Sequence, residues 1–419
     1  SQDQTFLKVQ QWIDRFPKTG DPQLDSYARW YSSSAICLTR ATTKEAWPKE
    51  ERGPDYPALD DINRLPLERL AITMGYREHN PRDGYWTAWP HLLLWPKFDR
   101  DMIAMYFTAQ AKDGSFHCCY RLFYREKTID WTGYVLHRLY RYCYLTGDWD
   151  FARQCLDCGG LEQGVNFLLE RCAKNGMPEH YDSWADWKDV PPMNDRLYAP
   201  HTAFVTLAGF KSAARIAEKL GHADLKKECE DAYQRCYDQV HKSIQGGGLW
   251  NGQCYVTAWK DGTTDSIVQQ DQVVGVLYGV IPRERWQSVF DTIRKTNHGP
   301  FGPRETYPYR VYAEPGEFHE PGVYHNGGIW PFMVGVETLA RILRGDAKER
   351  EIAIQMLKLV GYQDLERFGD YGPHEYLHGD TGENRHYWLQ GWNATMSAAI
   401  WSLADPNLPL WKAFDMGSE

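Results

Sequence analysis

Two segments decide how this chain is read: Pro321-Gly-Val-Tyr-His-Asn-Gly-Gly-Ile-Trp-Pro331 and Pro373-His-Glu-Tyr-Leu-His-Gly-Asp-Thr-Gly-Glu383. Each crowds aromatics, glycines and histidines into a short space just ahead of an apolar helical run. That composition is poor for a core and good for a loop that holds a polar, flat-faced ligand such as a sugar. Helical patterns with chemistry concentrated in the loops before them point to an all-α fold.

Glu375 is the acid to single out. It lies between Pro373 and Gly379, where a helix is not expected, with Tyr371, Tyr376, Tyr387 and Trp388 nearby in sequence to exclude water and tune a carboxylate. A lone glutamate is ordinarily a solvated loop residue; the surrounding pattern changes that reading. Glu375, followed six residues on by Thr381-Gly382 and then by Gln390-Gly-Trp392, resembles the C-terminal motif of the six-hairpin inverting glycosidases. That group includes processing glucosidase I, trehalase, mannosylglycerate hydrolase and the neutral invertases. Tyr324-His-Asn-Gly-Gly-Ile-Trp-Pro331 is similar to a matching motif of neutral invertases and debranching-type glucosidases. The resemblance covers roughly residues 75 to 403 and implies an (α/α)6 barrel, a six-hairpin toroid, with Glu375 as general base.

Working outward, Asn80-Pro-Arg-Asp-Gly-Tyr-Trp86 precedes a long apolar run from Trp86 to Ala109. It resembles the Arg-Asp motif in which the carboxylate binds sugar hydroxyls and the arginine braces it. A carboxylate accepts from two adjacent hydroxyls when a neighbouring cation keeps it ionised, so Arg82, Asp83 and Trp86 are expected at the sugar. The plainer alternative is an ion pair at a helix start. Asp130, opening the helix that ends at Thr146-Gly-Asp-Trp149, either caps that helix or meets the sugar. Gly176 to Asp189 is dense in acids and indoles, and resembles the general-acid loops of glucosidase I, mannosylglycerate hydrolase and cellobiose phosphorylases. Both alignments implied by the resemblance put the acid on Asp186, with Asp182 and Asp189 as fallbacks. Trp184 and Trp187 beside it would hold a proton donor in a low dielectric. Those two and Trp388 are expected as stacking walls, and Tyr324, His325 and Trp330 complete the subsite. Gln270, at the start of a helix expected from Val268, is a further contact, with Asp271 and Gln272 beside it.

The 419 residues are 42% hydrophobic, enough for a large core, and no linker divides them, so one catalytic domain over 1–419 is expected. Residues 1–74 match no named pattern. Eighteen tryptophans and 26 tyrosines exceed core requirements and suit stacking on pyranose faces. A net charge of −9 without a basic stripe argues against nucleic acid. No apolar run reaches membrane-spanning length and no signal peptide is legible, although a chain starting at Ser1 leaves room for a removed leader. The ten cysteines read as reduced, structural thiols of a cytoplasmic-type protein, and Cys155-x-x-Cys158 lacks the second ligand pair of a zinc site. No cofactor or metal is expected.

About twelve paired helices are expected, including ones at 63–75, 149–174, 327–344, 347–364 and 388–403, without a strand series. The loop from Gly299 to Glu320 should cover the pocket. The function implied by the resemblance is inverting, exo-acting hydrolysis of an α-linked glucosyl-type oligosaccharide or glycoside. The alternatives are a disaccharide phosphorylase, a sugar epimerase or lyase using His180, His325 or His374, and a non-catalytic sugar-binding protein. The composition does not specify an oligomeric state.

Overall fold

The computed structural model describes residues 11–37, 39–41, 68–70, 80–108, 110–116, 128–179, 187–188, 197–314, 316, 318–368 and 372–415. Residues 11–13 are helical, and after Pro17 comes helix α1 (Pro22–Cys37), with Asp21 Oδ1 accepting from the Gln23 amide. Residues Thr39–Ala41 then pair antiparallel with Glu68–Leu70. The helix expected over 63–75 is therefore wrong at its centre. A ladder with a distant partner satisfies that backbone, a contact that periodicity does not report.

Helix α2 (Pro81–Thr87) starts at a proline behind Asn80, whose side chain caps the Arg82 amide at 3.1 Å. The apolar run after it is not one helix. Pro90 and Pro96 each restart the chain, giving a short helix Trp89–Leu94 and then α3 (Pro96–Thr108). There follow α4 (Ile129–Thr146), α5 (Trp149–Asp157), α6 (Gly160–Glu170), α7 (Pro200–Leu220) and α8 (Ala223–Val240). Helix α9 (Val273–Leu277) begins later than expected, because Val268–Gln269 pair with Thr306–Tyr307 and Gln270–Gln272 form a single 3₁₀ turn. The chain closes with α10 (Trp286–Thr296), α11 (Pro331–Arg344), α12 (Ala347–Gly361) and α13 (Ala394–Ala404).

Packing turns these helices into a closed double ring. The inner members α2, α4, α7, α9, α11 and α13 each pack on the next, and α13 returns to α2. Outside them, α3 and α6 lie on α4, α8 on α7, α10 on α9, α12 on α11 and α1 on α13. This is the (α/α)6 toroid. Inner helices are buried on nearly every side: α11 is buried from Pro331 through Ile342 and α13 from Ala394 through Leu403. Close crossings need small residues. A Cβ on Gly133 of α4 would stand 2.6 Å from the Val205 carbonyl oxygen of α7, and one on Gly209 of α7 would stand 2.9 Å from the Gly133 Cα. Strands among the described residues are short and paired two by two, in the connections. Among those residues no helix is long and apolar enough to cross a membrane.

Candidate active site

Inner helices that follow one another around a ring bring the segments before their N-termini to one end. Those segments carry most of the residues singled out above. Before α11, Ile329 exchanges both backbone hydrogen bonds with Leu377 at 2.8 Å, and the Gly379 amide donates to the Gly322 carbonyl at 2.8 Å. The two opening motifs are thus stitched together.

Glu375 lies in the strand His374–Leu377, which pairs antiparallel with Asn384–Trp388. It is no loop residue: it is 2% exposed. Three further contacts pin this strand. The His374 amide donates to Asp364 Oδ1 at 3.0 Å, the Tyr31 hydroxyl donates to Asp364 Oδ2 at 2.9 Å, and Asn393 Nδ2 donates to the His374 carbonyl at 2.6 Å. Asp364 sits in a π-helical turn, Tyr362–Arg367, that widens the end of α12. At the carboxylate itself, His386 Nδ1 contacts Glu375 Oε2 and Gln390 Nε2 approaches the same oxygen at 3.5 Å. Tyr371, expected near Glu375, lies outside the described residues.

Aromatic rings pack beside it. Tyr376 stacks on Trp330 at 5.5 Å and Trp330 on His325 at 4.8 Å, while Tyr324 meets Trp330 edge-on at 5.1 Å. Tyr324 holds a left-handed backbone, φ 46°, an uncommon state for a bulky residue and one found at functional sites. Trp187 stands edge-on to His325, Trp330 and Phe332 at 4.9, 5.4 and 5.0 Å. Asp186 and Trp184, with the fallback acids Asp182 and Asp189, lie outside the described residues; Trp187 follows Asp186 directly in sequence. Trp388 is 40% exposed and Tyr387 46%, so both offer ring surface.

Behind Trp187 is a buried charged cluster that joins Asp271 and His325 to two residues sequence reading did not find, Lys188 and Glu305. Asp271 Oδ2 accepts from Trp187 Nε1 at 2.9 Å and is also ion-paired to Lys188, whose ammonium donates to Gln269 Oε1 at 3.0 Å. Glu305 Oε2 meets His325 Nδ1 at 3.0 Å. Burial raises the Glu305 carboxyl, and nearby Asp271 adds to this, against the pull of His325 and Lys188. Gln270 does not point its amide at this cluster; it donates to Glu337 Oε2 at 2.7 Å. Burial alone would raise Glu337, but Arg341 and His298 outweigh it and hold its carboxyl at about 2.

At the start of α2, Arg82 Nε approaches Asp83 Oδ1 at 3.4 Å and its Nη1 meets Asp130 Oδ2 at 3.1 Å. Asp130 does not cap α4: Thr128 holds the cap position, and the buried Asp130 carboxylate lies in the first turn, facing Arg82. Asp83 is 22% exposed by side chain and Asp130 not at all, so Asp83 is the carboxylate with access to a ligand. Trp86 is enclosed by Tyr85 and Tyr134, edge-on at 4.8 and 5.8 Å, and is 1% exposed, the burial of a packing residue. Among the described residues no group of three His, Cys, Asp or Glu side chains is arranged to hold a metal.

No family model and no curated protein matches the sequence. Solved structures do match in fold. The GH63 mannosylglycerate hydrolase from Thermus thermophilus in complex with Tris is 12% identical, with a TM-score of 0.62 over 89% of this chain and 100% of that one. Its complex with Tris and D-glycerate gives 14% identity and a TM-score of 0.60 over the same shares. A bacterial glucoamylase complexed with acarbose gives 16% identity and a TM-score of 0.60, over 80% of this chain and 50% of that one. The chain has the toroidal fold of these six-hairpin glycosidases.

Proposed function

We propose that this six-hairpin toroid is an inverting, exo-acting glycoside hydrolase for a small α-linked, glucosyl-type carbohydrate. The observation that carries the reading is the setting of Glu375. It is a buried carboxylate on a strand bonded to the His-Asn-Gly-Gly segment, contacted by His386 and Gln390, at the end of the ring where the inner helices begin. The fold neighbours, a mannosylglycerate hydrolase and a glucoamylase, support the same class of chemistry.

In this mechanism Asp186 protonates the glycosidic oxygen, and Glu375 takes a proton from a water on the opposite face of the anomeric carbon. Room for that water calls for carboxyl groups about 6.5–9.5 Å apart, and the product anomer is inverted. Asp83, held by Arg82, binds hydroxyls of the sugar being released, and Arg82 is held in turn by Asp130. Trp187 and Trp330 wall the subsite, with Tyr324 and His325 beside them and Trp388 at the exposed rim.

The test is a panel of α-linked disaccharides and glycosyl glycerates, with the first-formed product anomer read by proton NMR. On the best substrate, Glu375→Gln and Asp186→Asn should each lose on the order of a hundredfold or more in kcat. Near-wild-type turnover by either variant overturns that assignment. A retained anomer overturns the mechanism, and strict dependence on inorganic phosphate would make the protein a phosphorylase.

A further inference from the structure

The hairpin that carries Glu375 has a defect, and the defect lies opposite the carboxylate. Asn384 pairs with Leu377 and Arg385 with Tyr376, so the next step of the ladder sets His386 across from Glu375. There the register breaks, to resume with Trp388 opposite His374, one residue out of step. His386 takes a left-handed backbone, φ 63°. Side chains other than glycine adopt that conformation at a cost and keep it where surrounding contacts impose it. Bulges of this kind re-aim a side chain and are common beside active sites.

Here the side chain is aimed at Glu375. The imidazole Nδ1 contacts Oε2, the oxygen that Gln390 Nε2 also approaches. Glu375 is 2% exposed by side chain and His386 25%, so the imidazole lies between the buried acid and the outside. Phe318 and Tyr324 face the ring at 6.1 and 6.3 Å, and Tyr387 lies against it at 4.3 Å. The charged neighbours on the same strand and turn, Arg385 and Glu383, pair with each other at 2.8 Å.

We propose that His386 is the positioning residue of the water-activating carboxylate: its Nδ1–H donates to Glu375 and fixes the rotamer of the side chain that accepts a proton. This rests on the reading of Glu375 as the base. A base must be ionised before each turnover, and a buried carboxylate needs a donor to remain so. The bulge and the left-handed backbone at His386 supply one such donor from the opposite strand, beside Gln390.

Two substitutions separate the side chain from the backbone. His386→Gly keeps the left-handed conformation without strain and removes the donor. His386→Asn tolerates the same conformation and restores an N–H close to the Nδ1 position. The expected result is a loss of about tenfold or more in kcat for the glycine variant with KM little changed, as for an interaction that matters in the transition state. The asparagine variant should recover most of it. A residue that only shapes the bulge predicts equal activity for the two. A second readout needs no substrate: in protein labelled at histidine, the His386 resonance is assigned by its loss in His386→Asn and titrated by NMR. Its midpoint should fall in Glu375→Gln, because an anionic partner favours the imidazolium. An unchanged midpoint, or a glycine variant with wild-type kcat, overturns the role of His386. Full turnover by Glu375→Gln instead overturns the reading of the base, so the two failures are distinct.

Discussion

Replacing Lys188 with methionine tests whether a buried ion pair holds Trp187 in the site. Lys188 and Asp271 are both 0% exposed by side chain and paired to each other, and Asp271 also accepts from the Trp187 indole at 2.9 Å. Without the ammonium, Asp271 keeps that indole as a neutral donor, and it still faces the Glu305 carboxyl. Removing one partner of a buried pair costs about 3–5 kcal/mol, because the other charge stays buried without compensation. With an unfolding entropy of about 2.1 cal/mol/K per residue, 419 residues give about 0.9 kcal/mol/K, so the melting temperature should fall by about 3–6 °C. Calorimetric melts of wild type, Lys188→Met, Asp271→Leu and the double variant form a cycle that isolates the pair. The double variant should recover part of the loss, since both charges of the pair are removed together. If Lys188→Met melts with the wild type, or if the double variant loses the sum of both singles, the pair does not stabilise the fold in this way.

Three other expectations follow from the same structure. Gly133→Ala should destabilise by about 1–3 kcal/mol, since its Cβ would meet the Val205 carbonyl oxygen at 2.6 Å; an unchanged urea midpoint refutes the close crossing of α4 and α7. Glu337, held at about 2 against an ordinary value of 4.5, contributes about 3 kcal/mol that is present above pH 4.5 and lost as the pH falls from there to 2. Glu337→Gln should therefore flatten that part of the acid-unfolding curve, and an unaltered slope counts against it. Asn80→Ala removes the cap of α2 and should cost about 1 kcal/mol, while raising KM through the neighbouring Arg82 and Asp83; unchanged melting and KM contradict the cap's role.

Much of the architecture was readable because helices announce themselves locally. Pro200–Leu220 carries a continuous apolar pattern behind an N-terminal proline and forms where the pattern runs, and the helix expected over 327–344 forms from its own proline, as Pro331–Arg344. The segment around Glu68 was not readable in that way, since its structure depends on a strand far away in sequence. The same holds within the site. Glu375 stood out by its motif, but its partner His386 lies eleven residues on, and counting back across a hairpin finds it only once the strand pairing is known. Glu305 sits in a loop rich in proline and charge, and carried no signal distinguishing it from its neighbours until burial set it against His325.

The sequence alone determined the helical class and the order of the loops, and its family resemblance nominated Glu375 and Asp186 for testing, because residue periodicity and short motifs are local properties of the chain. Only the tertiary structure decided that Asp130 braces Arg82, that Asp271 grips Trp187 and Lys188, and that a bulge turns His386 onto Glu375. Those contacts join residues that meet through the closing of a ring and the register of a hairpin. Side chains brought together by packing leave no periodic trace in the order of residues.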